Sequence, residues 1–212
     1  MKRLMVWFGP TSSSKSTGAL GMAHRFREQG RNVMLVRPAR SVRAYEALGD
    51  FRTKDGIAWP SLDVETPEEI LQLAKRDRPD VIWIDEPALF RDEQVTSLPP
   101  WLFSMVCELR KSYTILISGI GATSELEVFG KSLPLLMAVA DEVIQCKGDC
   151  PWCDRMNVAT RTVYLADEEK TTQDKVGGLE MYQPACVECW SAMQHFAPST
   201  RRLKMKRAVS LR

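Results

Sequence analysis

Lys15, followed by Ser16 and Thr17, stands six residues after Gly9 in the segment Gly9-Pro10-Thr11-Ser12-Ser13-Ser14. The apolar run Leu4-Met5-Val6-Trp7-Phe8 precedes it. That order, strand then small-residue loop then helix, suits polyphosphate. Backbone N–H groups of the loop wrap phosphate oxygens, and the helix N-terminus adds the positive end of its dipole. In this pattern Lys15 reaches the β- and γ-phosphates and the Ser16 hydroxyl sits on Mg²⁺. Gly9, Ser12, Ser13, Ser14 and Thr17 complete the nucleotide-binding segment. The pattern G-x-x-x-x-G-K-[ST] expects glycine where this chain has Ser14. A left-handed backbone there costs serine about 1–2 kcal/mol. A serine-rich segment ahead of a helix can equally be an N-cap with no ligand.

A second group is Asp85-Glu86, which closes the apolar run Val81-Ile82-Trp83-Ile84. Asp85 can hold Mg²⁺ directly or through water. Glu86 can serve as general base toward an acceptor hydroxyl. Acidic strand ends are often only solvated. Lys15-Ser16, about one βαβαβ module upstream, favours the chemical reading.

The third group is cysteine. Cys150-Pro151-Trp152-Cys153 and Cys186-Val187-Glu188-Cys189 offer four thiolates for a tetrahedral, structural Zn²⁺. The 32 residues between the knuckles exceed the ribbon spacing of about 15–20, so a long loop must project from the site. Cys-Pro-Trp-Cys also has the form of a dithiol redox pair, but it lacks a thioredoxin-like βαβ context and has a partner knuckle. Cys146 is a ligand candidate by position and reads instead as a buried thiol at a strand end.

The elements that position these groups follow from apolar runs and their punctuation. A helix is expected from Lys15 to Glu28, stopped by Gly30, then a strand over Asn32–Arg37. Residues 38–62 read as irregular. Thr66-Pro67-Glu68-Glu69 opens a helix that ends near Arg78-Pro79. A strand follows at 81–86, a helix from Pro99-Pro100 to about Lys111, a strand at Tyr113–Gly119, a helix over 130–140 and a strand at 142–146. Strands alternating with helices imply an α/β domain with a mostly parallel sheet and its ligand at the C-terminal strand edge. The fold class read from these runs and motifs is α/β, a P-loop NTPase domain with a mostly parallel sheet and a small C-terminal zinc-ribbon domain. The boundaries fall at 1–146, 147–196 and a basic tail at 197–212.

The 212 residues, 44% of them hydrophobic, suffice for one full core and an appendage. The apolar start is too short for a signal peptide, and no run reaches membrane-span length, which predicts a cytoplasmic protein. The net charge of +2 is uneven. Six basic residues lie between Arg201 and Arg212, leaving 23 basic against 27 acidic elsewhere. Such a tail can touch nucleic acid or stay solvated. His24 reads as a solvent-side position and His195 as a surface one; neither is a catalytic candidate.

Taken together, these motifs resemble the type II, zinc-containing thymidine kinase family, over Leu4 to Cys189. Gly9-Pro10 through Lys15-Ser16-Thr17 resembles the family's G-P-M-F-S-G-K-S-T, Arg37-Pro38-Ala39 its K-P-A, and Ile84-Asp85-Glu86 with Phe90 its I-D-E-x-x-F-F. Gly119 and Phe129-Gly130 match the ends of G-L-D-G-x-F-x-x-x-P-F-G. Val176-Gly177-Gly178 with Tyr182 matches V-G-G-x-x-x-Y ahead of the second knuckle. The resemblance implies ATP-dependent phosphorylation of the 5′-hydroxyl of thymidine or a related, including modified, pyrimidine deoxynucleoside, for nucleotide salvage and DNA synthesis. It implies a RecA-like first domain with a zinc-ribbon or lasso domain after it, and a homotetramer. It places Arg43, Leu89, Ile120, Ser124, Val176, Gly178 and Tyr182 at the nucleoside. Thr11, Ser12, Leu89, Gly121, Ala122 and Ser124 depart from the family's residues there, often small or polar for apolar or aromatic. Two other readings stay open: a relative that binds nucleotide without catalysis, and a zinc-ribbon ATPase acting on nucleic acid through the basic tail.

Overall fold

The computed structural model describes residues 2–41, 49–53, 56–90, 99–165, 179–196 and 200–201. They form two compact units. The first holds the described residues up to Phe8, those from Lys15 to Gly119, and Gly130–Ile144. The second holds Gly9–Ser14, Ile120–Phe129 and the described residues from Gln145 onward.

Along the chain come β1 (Leu4–Gly9), α1 (Lys15–Glu28), β2 (Val33–Pro38), β3 (Asp50–Arg52), β4 (Ala58–Val64), α2 (Pro67–Asp77), β5 (Val81–Asp85), α3 (Trp101–Leu109), β6 (Thr114–Ile120), α4 (Ser132–Val139) and β7 (Glu142–Gln145). The strands make one sheet in the order β3-β4-β2-β5-β6-β1-β7. β4, β2, β5 and β6 pair in parallel, and β3 joins β4 antiparallel. Every residue of β5 is buried, as an unbroken apolar run demands of a strand covered on both faces. Ile82, Ile84, Ile115 and Ile117 pack in one core with Phe90, Leu102, Val106 and Leu136. Gly30 adopts φ +74° after α1, where a left-handed residue closes a helix. At the start of α2 the Glu69 carboxylate accepts the Thr66 N–H at 3.0 Å, half of a capping box. The fold is thus α/β with a mostly parallel sheet.

One expectation fails. Residues 38–62 are not irregular throughout, because β3 and most of β4 lie within them. In β4 the burial of Trp59 and Ser61 alternates with exposure of Ala58 and Pro60, but Pro60 and the polar Ser61 and Asp63 mask the period-two signal. Pro60 stands ahead of the β2 ladder, which begins with Leu35 opposite Ser61. An ion pair at 2.6 Å between Arg37 Nε and Asp63 Oδ1 fixes the hairpin to β2, with side chains only 2% and 5% exposed. Asp63 also accepts the Gly49 N–H at 2.7 Å and the Ser61 hydroxyl at 3.1 Å. Burial alone would raise the Asp63 carboxyl; Arg37 and these donors hold it below its ordinary value. His24, expected on the solvent side, is half-buried. Its ring meets Trp59 edge-on at 4.9 Å, and the Arg27 guanidinium lies 4.3 Å over the same indole.

In the second unit β8 (Gly148–Cys150) and β9 (Arg155–Ala159) form one antiparallel pair, and β10 (Arg161–Tyr164) and β11 (Tyr182–Ala185) another, followed by α5 (Val187–Gln194). Its small core includes Cys150, Trp152, Val163, Leu165 and Cys186. Among the described residues no helix is long and apolar enough to cross a membrane.

Candidate functional site

In the first unit, Lys15 and Ser16 open α1, and Lys15 is buried. The Ser16 hydroxyl donates to Asp85 Oδ1 at 2.9 Å. Asp85 ends β5 and is itself buried. On β6, Ser118 stands opposite Asp85 in the strand register and donates to the same oxygen. Trp83 Nε1 donates to Ser118 Oγ at 2.7 Å. Neither Trp83 nor Ser118 stands out in the sequence, since only the β5–β6 register brings them to Asp85. Glu86 follows in a left-handed conformation, φ +49°, its N–H donating to the Ser118 carbonyl at 2.7 Å. Leu89 is half-buried in the turn Pro87–Leu89, with its N–H on the Glu86 carbonyl at 3.0 Å. Thr17 sits half-buried in the first turn of α1. A hydroxyl and a carboxylate in contact are the hard oxygen donors that a small divalent cation takes.

The loop Gly9–Ser14 packs within the second unit. A Cβ on Gly9 would lie 2.3 Å from the Cys146 carbonyl oxygen, so only glycine fits. Ser13 is buried and donates to the Pro10 carbonyl at 2.9 Å. The Thr11 N–H donates to Thr162 Oγ1 at 3.3 Å. Ser12 and Ser14 both have left-handed backbone, φ 56° and 57°. The glycine that the pattern expects at position 14 is therefore a real conformational demand, met here by serine under strain. Left-handed residues in such a loop turn backbone N–H groups toward a common side, the geometry of an anion nest.

The four cysteine Sγ atoms of the two knuckles all lie within 4.8 Å of one another. Those of Cys153 and Cys186 are 3.9 Å apart, close to the roughly 3.8 Å separation of thiolates about 2.3 Å from a tetrahedral metal. The group fits a metal ion. Cys146 is half-buried and stands outside it. The Cys186 N–H donates to Cys150 Sγ at 3.3 Å and the Cys189 N–H to Cys186 Sγ at 3.5 Å. Arg155, which sequence reasoning missed, donates to Cys153 Sγ at 3.2 Å, to Cys186 Sγ at 3.0 Å and to Glu188 at 2.8 Å. Its position two residues past a cysteine was the available signal. Burial raises the Cys153 thiol, but the Arg155 bonds bring it down to about 6. Burial pushes the Cys186 and Cys189 thiols up, and a metal must displace their protons.

Of the residues expected at the nucleoside, Ile120 ends β6 half-buried. Ser124 is buried, with its hydroxyl on the Glu125 carboxylate at 2.9 Å. Its carbonyl accepts the Trp190 indole N–H at 3.0 Å, so an aromatic residue just past the second knuckle anchors this loop. Tyr182 lies opposite Tyr164 across β10 and β11, rings 5.4 Å apart. Burial, followed by Tyr164 and Glu125, pushes its phenol to about 12. Arg201, first of the basic tail, donates to the carbonyls of Tyr164 at 3.1 Å and Met193 at 2.9 Å. Arg43, Val176, Gly177 and Gly178, and the tail from Arg202, lie outside the described residues.

Comparison with known proteins agrees with this constellation. The family model for thymidine kinase matches residues 2–190. A thymidine kinase of Streptococcus gordonii is 27% identical over 189 residues, 88% of this chain and 94% of the relative. One from Mesomycoplasma hyopneumoniae is 26% identical over 183 residues, 86% and 92% of the two chains. One from Coprothermobacter proteolyticus is 29% identical over 160 residues, 74% of each. With phosphate loop, strand-end carboxylates and cysteine knuckles in the family's order, and its model matched along nearly the whole length, the chain belongs to the thymidine kinase family.

Proposed function

We propose that the chain is an ATP-dependent deoxynucleoside kinase that transfers the γ-phosphate of ATP to the 5′-hydroxyl of thymidine or a related pyrimidine deoxynucleoside. The observation that carries this reading is the 2.9 Å bond between Ser16 and Asp85. It joins the residue after the phosphate lysine to the carboxylate at the end of β5. Lys15 and the backbone of the loop from Gly9 hold the polyphosphate and offset charge on the transferring group. Ser16 and Asp85 hold Mg²⁺, which supplies neutralisation of the phosphoryl oxygens. Glu86 accepts the proton of the attacking hydroxyl. The four cysteines hold Zn²⁺ as a closed structural set. Tyr182 keeps its proton across the physiological range and can donate a hydrogen bond; with Arg43, Leu89, Ile120, Ser124, Val176 and Gly178 it makes up the set we propose for nucleoside binding. The family resemblance supports a homotetramer in the cytoplasm. The exposed apolar Leu135, Val139 and Val143 suit a surface covered by other copies, and light scattering measures the assembly.

The reading as a relative without catalysis is disfavoured, because Lys15, Ser16, Asp85 and Glu86 are all retained and Ser16 and Asp85 are in contact. The nucleic-acid reading loses part of its support, since Arg201 is spent on backbone carbonyls. The test is phosphate transfer from labelled ATP with Mg²⁺ to thymidine, deoxyuridine, deoxycytidine, 5-substituted deoxyuridines and a short oligonucleotide. Transfer to a pyrimidine deoxynucleoside is expected. Transfer only to a 5-substituted one makes Thr11, Ser12, Leu89 and Ser124 specificity residues. Silence across the panel with ATP still bound overturns the kinase reading.

A further inference from the structure

We propose that Ser118 and Trp83 are positioning residues for the metal site, setting the direction of the hydrogen bonds that reach Asp85 and Ser16. The proposal rests on the kinase reading above. Trp83 and Asp85 are two residues apart on β5 and share one face of the strand. Ser118 faces Asp85 from β6. An indole N–H can only donate, and it donates to Ser118 Oγ at 2.7 Å. Ser118, fully buried, has one proton and gives it to Asp85 Oδ1. That oxygen receives the Ser16 proton as well, at 2.9 Å. Two hydroxyl protons on one oxygen are best matched by an ionised carboxylate.

The chain of bonds therefore runs one way, from Trp83 to Ser118 to Asp85, with Ser16 donating from the other side. Because the single proton of Ser16 is committed to Asp85, the lone pairs of its oxygen are what a cation meets. The indole is fixed in turn. It is wholly buried, edge-on to Phe51 at 5.1 Å, and the Arg37 guanidinium lies 5.6 Å from the Phe51 ring. Burying a serine hydroxyl and an indole N–H inside an apolar strand pair costs free energy unless both are bonded. Here both bonds lead to one carboxylate.

The experiment is calorimetric ATP binding by the full chain with and without Mg²⁺, for wild type, Ser118→Ala and Trp83→Phe. Ser118→Ala is expected to leave metal-free ATP affinity unchanged and to shrink the gain from Mg²⁺ by about tenfold, as loss of one bond to a charged group does. Trp83→Phe keeps an aromatic ring, a smaller one, and loses the N–H, and is expected to shrink the gain by about threefold. The Mg²⁺ concentration for half-maximal transfer should rise in parallel while the nucleoside KM stays put. Wild-type Mg²⁺ gain in both variants overturns the proposal. So does an equal loss of ATP affinity with and without the metal, which is the mark of a merely structural role. If Ser118→Ala does not fold, Trp83→Phe decides alone. A wild type that gains nothing from Mg²⁺ overturns the kinase reading itself.

Discussion

Strain marks individual residues of the loop before α1 and of the end of β5. Ser12, Ser14 and Glu86 each hold a positive φ, 56°, 57° and 49°, where an L side chain costs about 1–2 kcal/mol. Ser14 is exposed, so nothing in its packing opposes glycine. Ser14→Gly is expected to relieve that strain, less the roughly 0.5–1 kcal/mol of added chain entropy. A net gain of about 0.5–1 kcal/mol should show in denaturant unfolding, with a lower KM for ATP. An unchanged midpoint would mean that the serine hydroxyl repays its backbone. Glu86→Gln is expected to cut transfer by about 10²–10⁴-fold, the usual share of a general base, while ATP affinity measured by calorimetry stays at wild type; undiminished turnover removes Glu86 from the role. The demand at position 14 was legible from the loop pattern alone. Ser118 was not, because its meaning depends on the strand register that sets it opposite Asp85.

Among the elements, the β3–β4 hairpin depends most on one interaction. Arg37 and Asp63 are almost wholly buried, and removing one partner of a buried pair leaves the other charge uncompensated, at a cost of about 3–5 kcal/mol. Asp63→Asn should lower the unfolding midpoint accordingly, and wild-type stability would show that water or Asp50 takes over. Because Arg37 and its other donors hold the folded-state Asp63 carboxyl below the ordinary carboxylate value, its contribution is complete above that ordinary value and is lost as pH falls through the lower one. Wild type should therefore lose stability more steeply than Asp63→Asn below about pH 4, measured by denaturation at stepped pH. The sequence showed α1, β2, β5 and β6 plainly, since long apolar runs and caps are local signals. β3 and β4 escaped it because a proline and two polar residues break the apolar pattern of β4; Pro60 fits because it stands ahead of the β2 ladder, and Asp63 because it pairs with Arg37, a partner distant in sequence.

At the scale of the whole molecule, the second unit is held by little apolar mass. Two of its metal-site cysteines, Cys150 and Cys186, are themselves core residues, so metal and folding are linked there. Chelation under reducing conditions is expected to open this unit to protease first, with cleavage beyond Gln145 while the first unit stays protected. Uniform digestion would show that the metal supports both. The phosphate loop adds a twist, because Gly9–Ser14 packs in this same unit, with Thr11 bonded to Thr162 and Gly9 against the Cys146 carbonyl. A preparation only partly loaded with the metal, which we propose to be zinc, is then expected to be a mixture of molecules with two affinities for ATP. Its saturation curve would have a Hill coefficient below one without any communication between subunits. Stoichiometric Zn²⁺ should collapse that curve to a single hyperbola.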